Sequence, residues 1–268
     1  MQNLNYGINL QTGMPLMKDI FTLASPNQLI LSGGKAREQR IQVIHSMLVQ
    51  LLSDDYGTVT SENDSITNHE KKEKVQAYIL DLFGDFQNFT ESGHDIKAIP
   101  LSEQVARQPR PKERVVIYTA DKSPEEDDIL ACLDIVWNYV EQNAKEKIRT
   151  IFCISDLSAI LPWEPAMSQL RGIVKKIRPY WGMTLLGACP SDLTNSSGRT
   201  DPTNSSGLSI LNNAGITVLM QQDEEDKELV EAIYGVPAKE LGTLFPADGI
   251  ILDGQTTDFV KLSALPVQ

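Results

Sequence analysis

The sequence has few cysteine and histidine residues, and their placement excludes several classes of protein. Only three of the 268 residues are cysteine and three are histidine. The cysteines lie far apart in apolar runs and form no C-x-x-C pair, so no disulfide framework is expected. The histidines share no ligand spacing, so we predict no metal site. The pattern is typical of a cytosolic protein with buried, reduced thiols at Cys132, Cys153 and Cys189.

Positive charge and long apolar runs are also scarce. The 24 Lys and Arg residues are outnumbered by 36 Asp and Glu residues, which gives a formal charge of −12. This balance disfavours nonspecific binding of nucleic acid or of an anionic membrane, because phosphate binding needs a basic surface. No run approaches the ~20 apolar residues that cross a bilayer, and residues 1–9 do not resemble a signal peptide. If the protein acts at a membrane, another segment or a partner must hold it there.

The sequence does contain a regular alternation of short apolar runs with helical patterns. Such alternation predicts an α/β fold in which helices cover both faces of a mostly parallel sheet. Runs bounded by turn residues predict strands at 28–31, 75–82, 96–101, 115–120, 150–154, 184–189 and 216–220. Two further runs, at 249–252 and 259–262, predict a C-terminal β-hairpin.

Apolar residues at helical spacing predict the helices between these strands. We expect helices at 36–52, 166–181 and 226–234. Another helix should start with Ser123 as its cap and Pro124 at its first position. Residues 54–74 are polar and predict a surface loop, and the Ser-, Asn- and Gly-rich residues 194–207 predict a mobile loop, because such a tract cannot bury a core.

The turn after the strand at 28–31 is the place where a phosphate-binding loop would lie. The functional pattern G-x-x-x-x-G-K-[ST] offers amides and a lysine to phosphate and a hydroxyl to magnesium. Counted forward from Gly33, the second glycine is replaced by Glu38, whose carboxylate would repel phosphate. With Gly34 and Lys35 as the G-K pair, the loop is too short and Ala36 lacks the hydroxyl. We therefore interpret Gly33, Gly34 and Lys35 as a degenerate phosphate loop, a tight turn with a solvated lysine.

Acidic residues at the ends of two predicted strands are the next candidates. Many ATPases end an apolar strand in two acids, one ordering magnesium and one polarising water. Here Ser155 takes the first position and Asp156 the second. Asp156 is therefore a catalytic candidate, although we favour a capping role, in which case Asp156→Ala should change stability only modestly. Asp81, at the end of another strand, is either an acid of the functional edge or a loop cap.

Four basic residues fall on or next to the predicted helix at 166–181. They could contact phosphate or an acidic partner, but we favour a solvated helix face. They are Arg171, Lys175, Lys176 and Arg178. The spacing reveals no Ser-His-Asp or Cys-His grouping.

A series of short motifs keeps a characteristic order over nearly the whole chain. The segments are 6–9, 29–35, 78–81, 152–157, 181–186, 190–193, 247–252 and 265–266. In this order the chain resembles the FtsK/SpoIIIE-type P-loop ATPase domains. It is most similar to the C-terminal ATPase domain of EssC-type proteins in type VII secretion.

The resemblance implies a RecA-like P-loop NTPase core, with residues 1–268 forming one degenerate ATPase domain at the C-terminal end of a longer chain. It implies a cytoplasmic domain of a cell-membrane-anchored protein, with sister ATPase domains and secreted helical proteins as partners. A polar sensor should end the strand at 184–189, but Ala188, Cys189 and Pro190 stand there. We therefore expect a role in substrate recognition or motor regulation, without a cofactor. The alternative is an active but divergent motor ATPase that uses ATP and Mg²⁺ in protein secretion or conjugative DNA transfer.

Overall fold

The computed structural model describes residues 3–20, 23, 25–53, 74–87, 89, 95–101, 109–120, 124–195 and 206–262. The strands are β1 (Asn3–Asn9), β2 (Pro15–Asp19), β3 (Gln28–Leu31), β4 (Lys74–Asp81), β5 (Ile96–Pro100), β6 (Val115–Thr119), β7 (Ile148–Ile154), β8 (Gly182–Ala188), β9 (Ile216–Leu219), β10 (Asp248–Leu252) and β11 (Thr257–Leu262). The helices are α1 (Arg37–Leu52), α2 (Glu126–Lys145), α3 (Glu164–Lys176), α4 (Pro190–Asn195), α5 (Ser206–Leu211), α6 (Glu224–Tyr234) and α7 (Ala238–Leu241).

All these strands belong to one sheet in the order β2-β1-β11-β10-β9-β3-β8-β7-β4-β6-β5. The seven strands from β9 to β5 in this order are parallel to their neighbours. The remaining four extend the sheet with antiparallel pairs. The predicted α/β fold is confirmed, and so is the C-terminal hairpin, in which β10 pairs with β11.

The sheet is buried on both faces because alternate strand residues enter two different hydrophobic cores. Leu29 and Leu31 pack on the face that α2 and α3 cover. Ile30, between them, packs on the opposite face with Ile44 and Leu48 of α1. Fully apolar strands thus result from helices on both sides, as the sequence predicted.

The N-terminal hairpin of β1 and β2 was missed by the sequence pattern. Polar residues dominate β1, but Leu4 and Tyr6 alternate as buried residues and join the core beneath α1. Gly7 adopts φ +131°, and a Cβ there would lie 1.9 Å from the carbonyl oxygen of Lys261. Glycine is therefore required where β1 approaches β11 most closely.

The start of α2 differs from the prediction. The helix begins at Glu126 with Glu125 as its N-cap, so Pro124 precedes it, and Ser123 lies outside the described residues. Three acids in the first turn, Glu126, Asp127 and Asp128, place negative charge at the positive end of the helix. The acids therefore mark the start better than the Ser-Pro pair did.

Two other predicted elements have different limits. The helix expected at 166–181 spans Glu164–Lys176, and a short 3₁₀ turn, Arg178–Tyr180, follows it. The predicted loop at 54–74 falls outside the described residues, except for Lys74, which starts β4. The loop expected at 194–207 is helical at both ends, in α4 and α5, and its remaining residues also lie outside the described part. No helix in the described part of the chain is both long and apolar enough to span a bilayer.

Candidate functional site

The connection between β3 and α1 is very short. Ser32 and Gly33 follow the strand, and Gly34–Ala36 form one turn of 3₁₀ helix that leads directly into α1. An eight-residue phosphate-binding pattern needs a longer loop before its helix. The sequence-predicted tight turn is what these residues form, with Lys35 exposed and Ala36 buried.

The amides of this turn donate hydrogen bonds to the chain itself. The Gly33 N–H donates to the carbonyl oxygen of Gln221 (3.0 Å). The Gly34 N–H donates to a carboxylate oxygen of Asp223 (2.8 Å), which lies in the connection between β9 and α6. A Cβ on Gly33 would lie 2.4 Å from the Asp223 backbone nitrogen, so the two segments are in close contact. The Asp223 carboxylate thus accepts a hydrogen bond from a backbone amide of the kind that binds phosphate in a functional loop.

A buried ion-pair network lies beside the turn, at the start of α1. Arg40 is 1% exposed and donates to Asp156 Oδ2 (2.7 Å). Arg37 Nε donates to the same oxygen (2.8 Å), and the Ser158 N–H donates to Asp156 Oδ1 (3.0 Å). Asp156 therefore caps the turn after β7 and also binds two guanidinium groups. Burial alone would raise the pKa of Asp156, but Arg40, Ser158 and Arg37 outweigh this effect and lower it.

The network continues to the loop after β4. Arg37 Nη2 donates to both carboxylate oxygens of Asp85 (3.0 and 2.8 Å). Ser155 donates its hydroxyl to Asp85 Oδ2 (2.6 Å), and the Arg37 guanidinium lies 5.0 Å from the ring centre of Phe83. Asp81 accepts the Asp85 N–H (2.8 Å) as a cap of this loop, and so holds the Asp85 backbone in place.

The structure brings some predicted site residues together and separates others. Ser155 and Asp156 lie in one network, whereas Lys35 is exposed and its side chain forms no hydrogen bond or ion pair among the described residues. The sequence reasoning missed three participants, Arg37, Arg40 and Asp85. The signal for the arginines was their three-residue spacing in the first turns of α1, which places both on one helix face.

The predicted basic residues of α3 lie elsewhere. Arg171 pairs with Glu164 of the same helix (2.7 Å). Lys175, Lys176 and Arg178 are exposed at the end of the helix, at the edge of the sheet opposite to the Gly33 turn. They do not belong to this site.

The end of β8 is tied to α6 where a polar sensor was expected. Cys189 contacts Asp226 Oδ2 through its sulfur (3.3 Å), and the Ser191 N–H donates to Asp226 Oδ1 (2.9 Å). Cys189 is only half-buried, in contrast to the prediction, and burial raises its pKa to about 11. Cys132 and Cys153 are buried as predicted. Among the described residues, no group of three or more His, Cys, Asp or Glu side chains is placed to hold a metal ion.

The described geometry defines a class of protein. A parallel α/β sheet carries a glycine turn from its central strand β3 into α1. The ends of β4 and β7 place acids at the same edge of the sheet. This is the architecture of the P-loop NTPase fold.

Solved structures, two of them containing ATPase units, share this fold at low sequence identity. VirB4 of Thermoanaerobacter pseudethanolicus is 13% identical, with a TM-score of 0.69 over 99% of this chain and 97% of that one. EssC (ATPases 2 and 3) of Geobacillus thermodenitrificans is 11% identical, with a TM-score of 0.59 over 98% of this chain and 41% of that one. EccC (ATPases 2 and 3) of Thermomonospora curvata, solved with a signal sequence peptide, is 9% identical, with a TM-score of 0.60 and the same coverage, 98% and 41%.

These likenesses establish the fold and confirm the resemblance to EssC-type ATPase domains at that level. The chain spans about two fifths of the EssC and EccC chains that it matches. No protein-family model and no curated protein matches its sequence.

Proposed function

We propose that this chain is an ATPase-fold module of a secretion motor that acts in substrate recognition or motor regulation and does not hydrolyse ATP. The fold shared with EssC and EccC supports the motor context, because those chains hold more than one ATPase unit. Sister ATPase domains are accordingly the expected neighbours of this chain. Secreted helical proteins are the expected substrates of such a motor.

The observation that carries the proposal is that the amides of the Gly33–Gly34 turn are already hydrogen-bonded to other residues of the same chain. An incoming phosphate would have to displace the Asp223 carboxylate from the Gly34 amide. It would also meet the like charge of Asp223 itself, which stays tethered to α6. The turn supplies no hydroxyl for magnesium, because Ala36 takes that position and is buried.

The acids near the turn also do not fit a metal-bound nucleotide. Asp156 accepts hydrogen bonds at both oxygens, from Arg37 and Arg40 at one and from Ser158 at the other. Two guanidinium groups therefore neutralise the carboxylate that would polarise the attacking water. Asp85, the other nearby carboxylate, is bound by Arg37 and Ser155. In ATP hydrolysis a metal ion supplies positive charge at such a site. Here the guanidinium groups of Arg37 and Arg40 supply positive charge instead.

Isothermal titration with ATP and Mg²⁺ tests this proposal. We expect no binding heat with the wild-type chain, and no difference between the wild type and Lys35→Ala. An active, divergent motor ATPase is the alternative, and the exposed Lys35 is the observation that favours it. Micromolar binding that is lost in Lys35→Ala would establish the alternative and refute our proposal.

A secretion assay in cells tests the recognition or regulation role separately. If the module acts without nucleotide, Lys35→Ala should secrete substrate at the wild-type level, whereas deletion of the module should reduce secretion. Equal loss of secretion in both strains, with Lys35→Ala folded, would contradict the proposal.

A further inference from the structure

A cleft lies at the edge of the sheet where the parallel strands begin. Strand β4 pairs with β7 from Lys74 onward, but its pairing with β6 starts only at Ala77. The first three residues of β4 therefore have no partner in β6, and the segment 110–114, which leads into β6, passes beside them. The space between this segment, β4 and the start of β7 forms a cleft of about 470 Å³.

A buried glutamine fixes the wall of this cleft. Gln76 is 6% exposed, and its Nε2 donates to the carbonyl oxygens of Pro111 (3.0 Å) and Glu113 (2.7 Å). Its Oε1 accepts from the Tyr78 hydroxyl (2.7 Å) and from Asn143 Nδ2 (3.0 Å). Since the whole hydrogen-bonding capacity of the amide is used, the segment that leads into β6 is held in one position. The cleft is therefore pre-formed, as sites for small molecules usually are.

The cleft is basic, although the protein as a whole has a formal charge of −12. Among the described residues that line the cleft, basic side chains outnumber acidic ones. The four basic residues are Lys74, Arg110, Lys112 and Arg114, and the two acidic residues are Glu113 and Glu146. This excess of two positive charges matches the charge of about −1.5 to −2 that a phosphate monoester carries at pH 7.

Arg110 has a hydrogen-bond donor that the fold leaves unused. Its Nη2 donates to Glu146 Oε2 (2.5 Å), whereas its buried Nη1 has no hydrogen-bond partner among the described residues. The hydrogen bond from Arg110 lowers the pKa of Glu146, and the charge of Lys74 lowers it further, so Lys74 also lies near this pair. The Arg110 side chain is 22% exposed, so a rotation of its guanidinium group can present the unused N–H to the cleft. An oxyanion there would accept a charge-assisted hydrogen bond, which is about twice as strong as a neutral one.

Another part of the cleft wall is apolar. Val75, Pro111 and Ile148 also line the cleft. Sites for small molecules have volumes of about 300–1,000 Å³ and combine apolar walls with a few polar groups. The cleft therefore has room for a small organic group beside an anion.

We propose that this cleft binds the phosphate group of a small phosphate monoester. Lys74, Arg110 and Lys112 surround the phosphate oxygens, and the organic part of the ligand packs against the apolar wall. A guanidinium fork and two ammonium groups are suited to phosphate. The cleft and the Gly33 turn lie at opposite edges of the sheet, so this inference goes beyond the proposed function and does not depend on whether the chain binds ATP.

Isothermal titration with glycerol 3-phosphate tests the inference. Sodium chloride keeps the ionic strength constant and Mg²⁺ is left out, so that neither screening nor metal binding changes between samples. We expect saturable binding by the wild-type chain, with a dissociation constant of about 1 mM or lower. Arg110→Gln/Lys112→Gln should bind at least about tenfold more weakly. Absence of saturable binding by the wild-type chain overturns the proposal.

A matched control separates the cleft from the general charge of the protein. Lys175→Gln/Lys176→Gln also removes two positive charges, at exposed positions of α3 that do not line the cleft. This variant should bind glycerol 3-phosphate as tightly as the wild type. If both double variants weaken binding equally, the cleft is not the site.

Two single variants test the roles of individual side chains. Lys112 is exposed, so Lys112→Gln should fold normally and bind at least about threefold more weakly than the wild type. Glu146→Gln removes the carboxylate that competes for Arg110, so it should bind at least about threefold more tightly. Unchanged or weaker binding by Glu146→Gln would contradict the role of Arg110, and a loss of structure would not produce the expected gain.

Vesicles distinguish a soluble ester from a lipid headgroup. Cosedimentation with phosphatidylcholine vesicles that contain phosphatidic acid, if Arg110→Gln/Lys112→Gln abolishes it, would assign the phosphate to a lipid. Binding of glycerol 3-phosphate without cosedimentation would assign it to a soluble ester. Cosedimentation that both double variants weaken equally would reflect general attraction to positive charge and would refute the cleft as the site.

Discussion

Removal of the Asp156 charge should destabilise the fold strongly. Arg40 has a side chain that is only 2% exposed and is paired with Asp156, which is 7% exposed. In Asp156→Asn, the Arg40 guanidinium would stay buried without a counter-ion, and breaking such a pair costs about 3–5 kcal/mol. Since small domains have about 5–15 kcal/mol of unfolding free energy, this is a large fraction. The capping role alone predicts a modest effect, whereas the burial of Arg40 leads us to expect a large one.

A double-mutant cycle with urea unfolding measures this coupling. Arg40→Met keeps a long side chain and removes a guanidinium whose Nε has no hydrogen-bond partner in the described part of the chain. It leaves Asp156 paired with Arg37, so we expect the free energy of unfolding to fall by a smaller amount, about 1–3 kcal/mol. Asp156→Asn/Arg40→Met should be more stable than the sum of the single losses predicts, by about 2 kcal/mol. Additive losses, or an Asp156→Asn variant within about 0.5 kcal/mol of the wild type, would refute the reasoning.

The same pair should give a pH dependence with a defined sign. Because the folded-state pKa of Asp156 is lowered from 3.8, its contribution to stability is present above about pH 4 and is lost as the pH falls through the folded pKa. The free energy of unfolding of the double variant should therefore fall less steeply below pH 4 than that of the wild type. If the free energy of unfolding falls with pH at the same slope in both proteins, Asp156 does not cause the pH dependence.

Two further substitutions test other contacts. Gly33→Ala should destabilise the fold by about 1–3 kcal/mol, since the new Cβ would lie 2.4 Å from the backbone of Asp223. Gly34→Ala meets nothing closer than 3.6 Å and should stay within about 0.5 kcal/mol of the wild type, and equal losses in denaturant titrations would contradict this packing. Burial alone would raise the pKa of Asp253, but Lys18 and two backbone amides lower it to about 2. Lys18→Met should reduce stability by about 1 kcal/mol at pH 7, with a smaller difference as the pH falls from about 4 to 2, and a pH-independent difference would exclude this ion pair.

The sequence predicted the parallel sheet well and the chemistry of its edge only in part. Apolar runs such as the one in β7 reveal strands because both sheet faces are buried, so the run of apolar residues itself marks the strand. The Gly33 turn was also predictable, since loop length and residue type are local properties. The roles of Asp223 and Asp85 could not be predicted in this way. Asp223 contacts the turn across 189 positions of the sequence, and Asp85 contacts Arg37 across 48. The hairpin of β1 and β2 was missed for the same reason: its stability comes from β11 rather than from its own pattern.

The position of β1 in the sheet has a consequence for synthesis of the chain on the ribosome. Its neighbours are β2 and β11, and Asn9 of β1 is hydrogen-bonded to Asp258, 249 positions later. An isolated two-stranded hairpin is marginally stable in water, so β1 and β2 should join the sheet only after β11 has emerged. During translation, the seven parallel strands can therefore assemble while β1 still lacks the strand that joins it to the rest of the sheet.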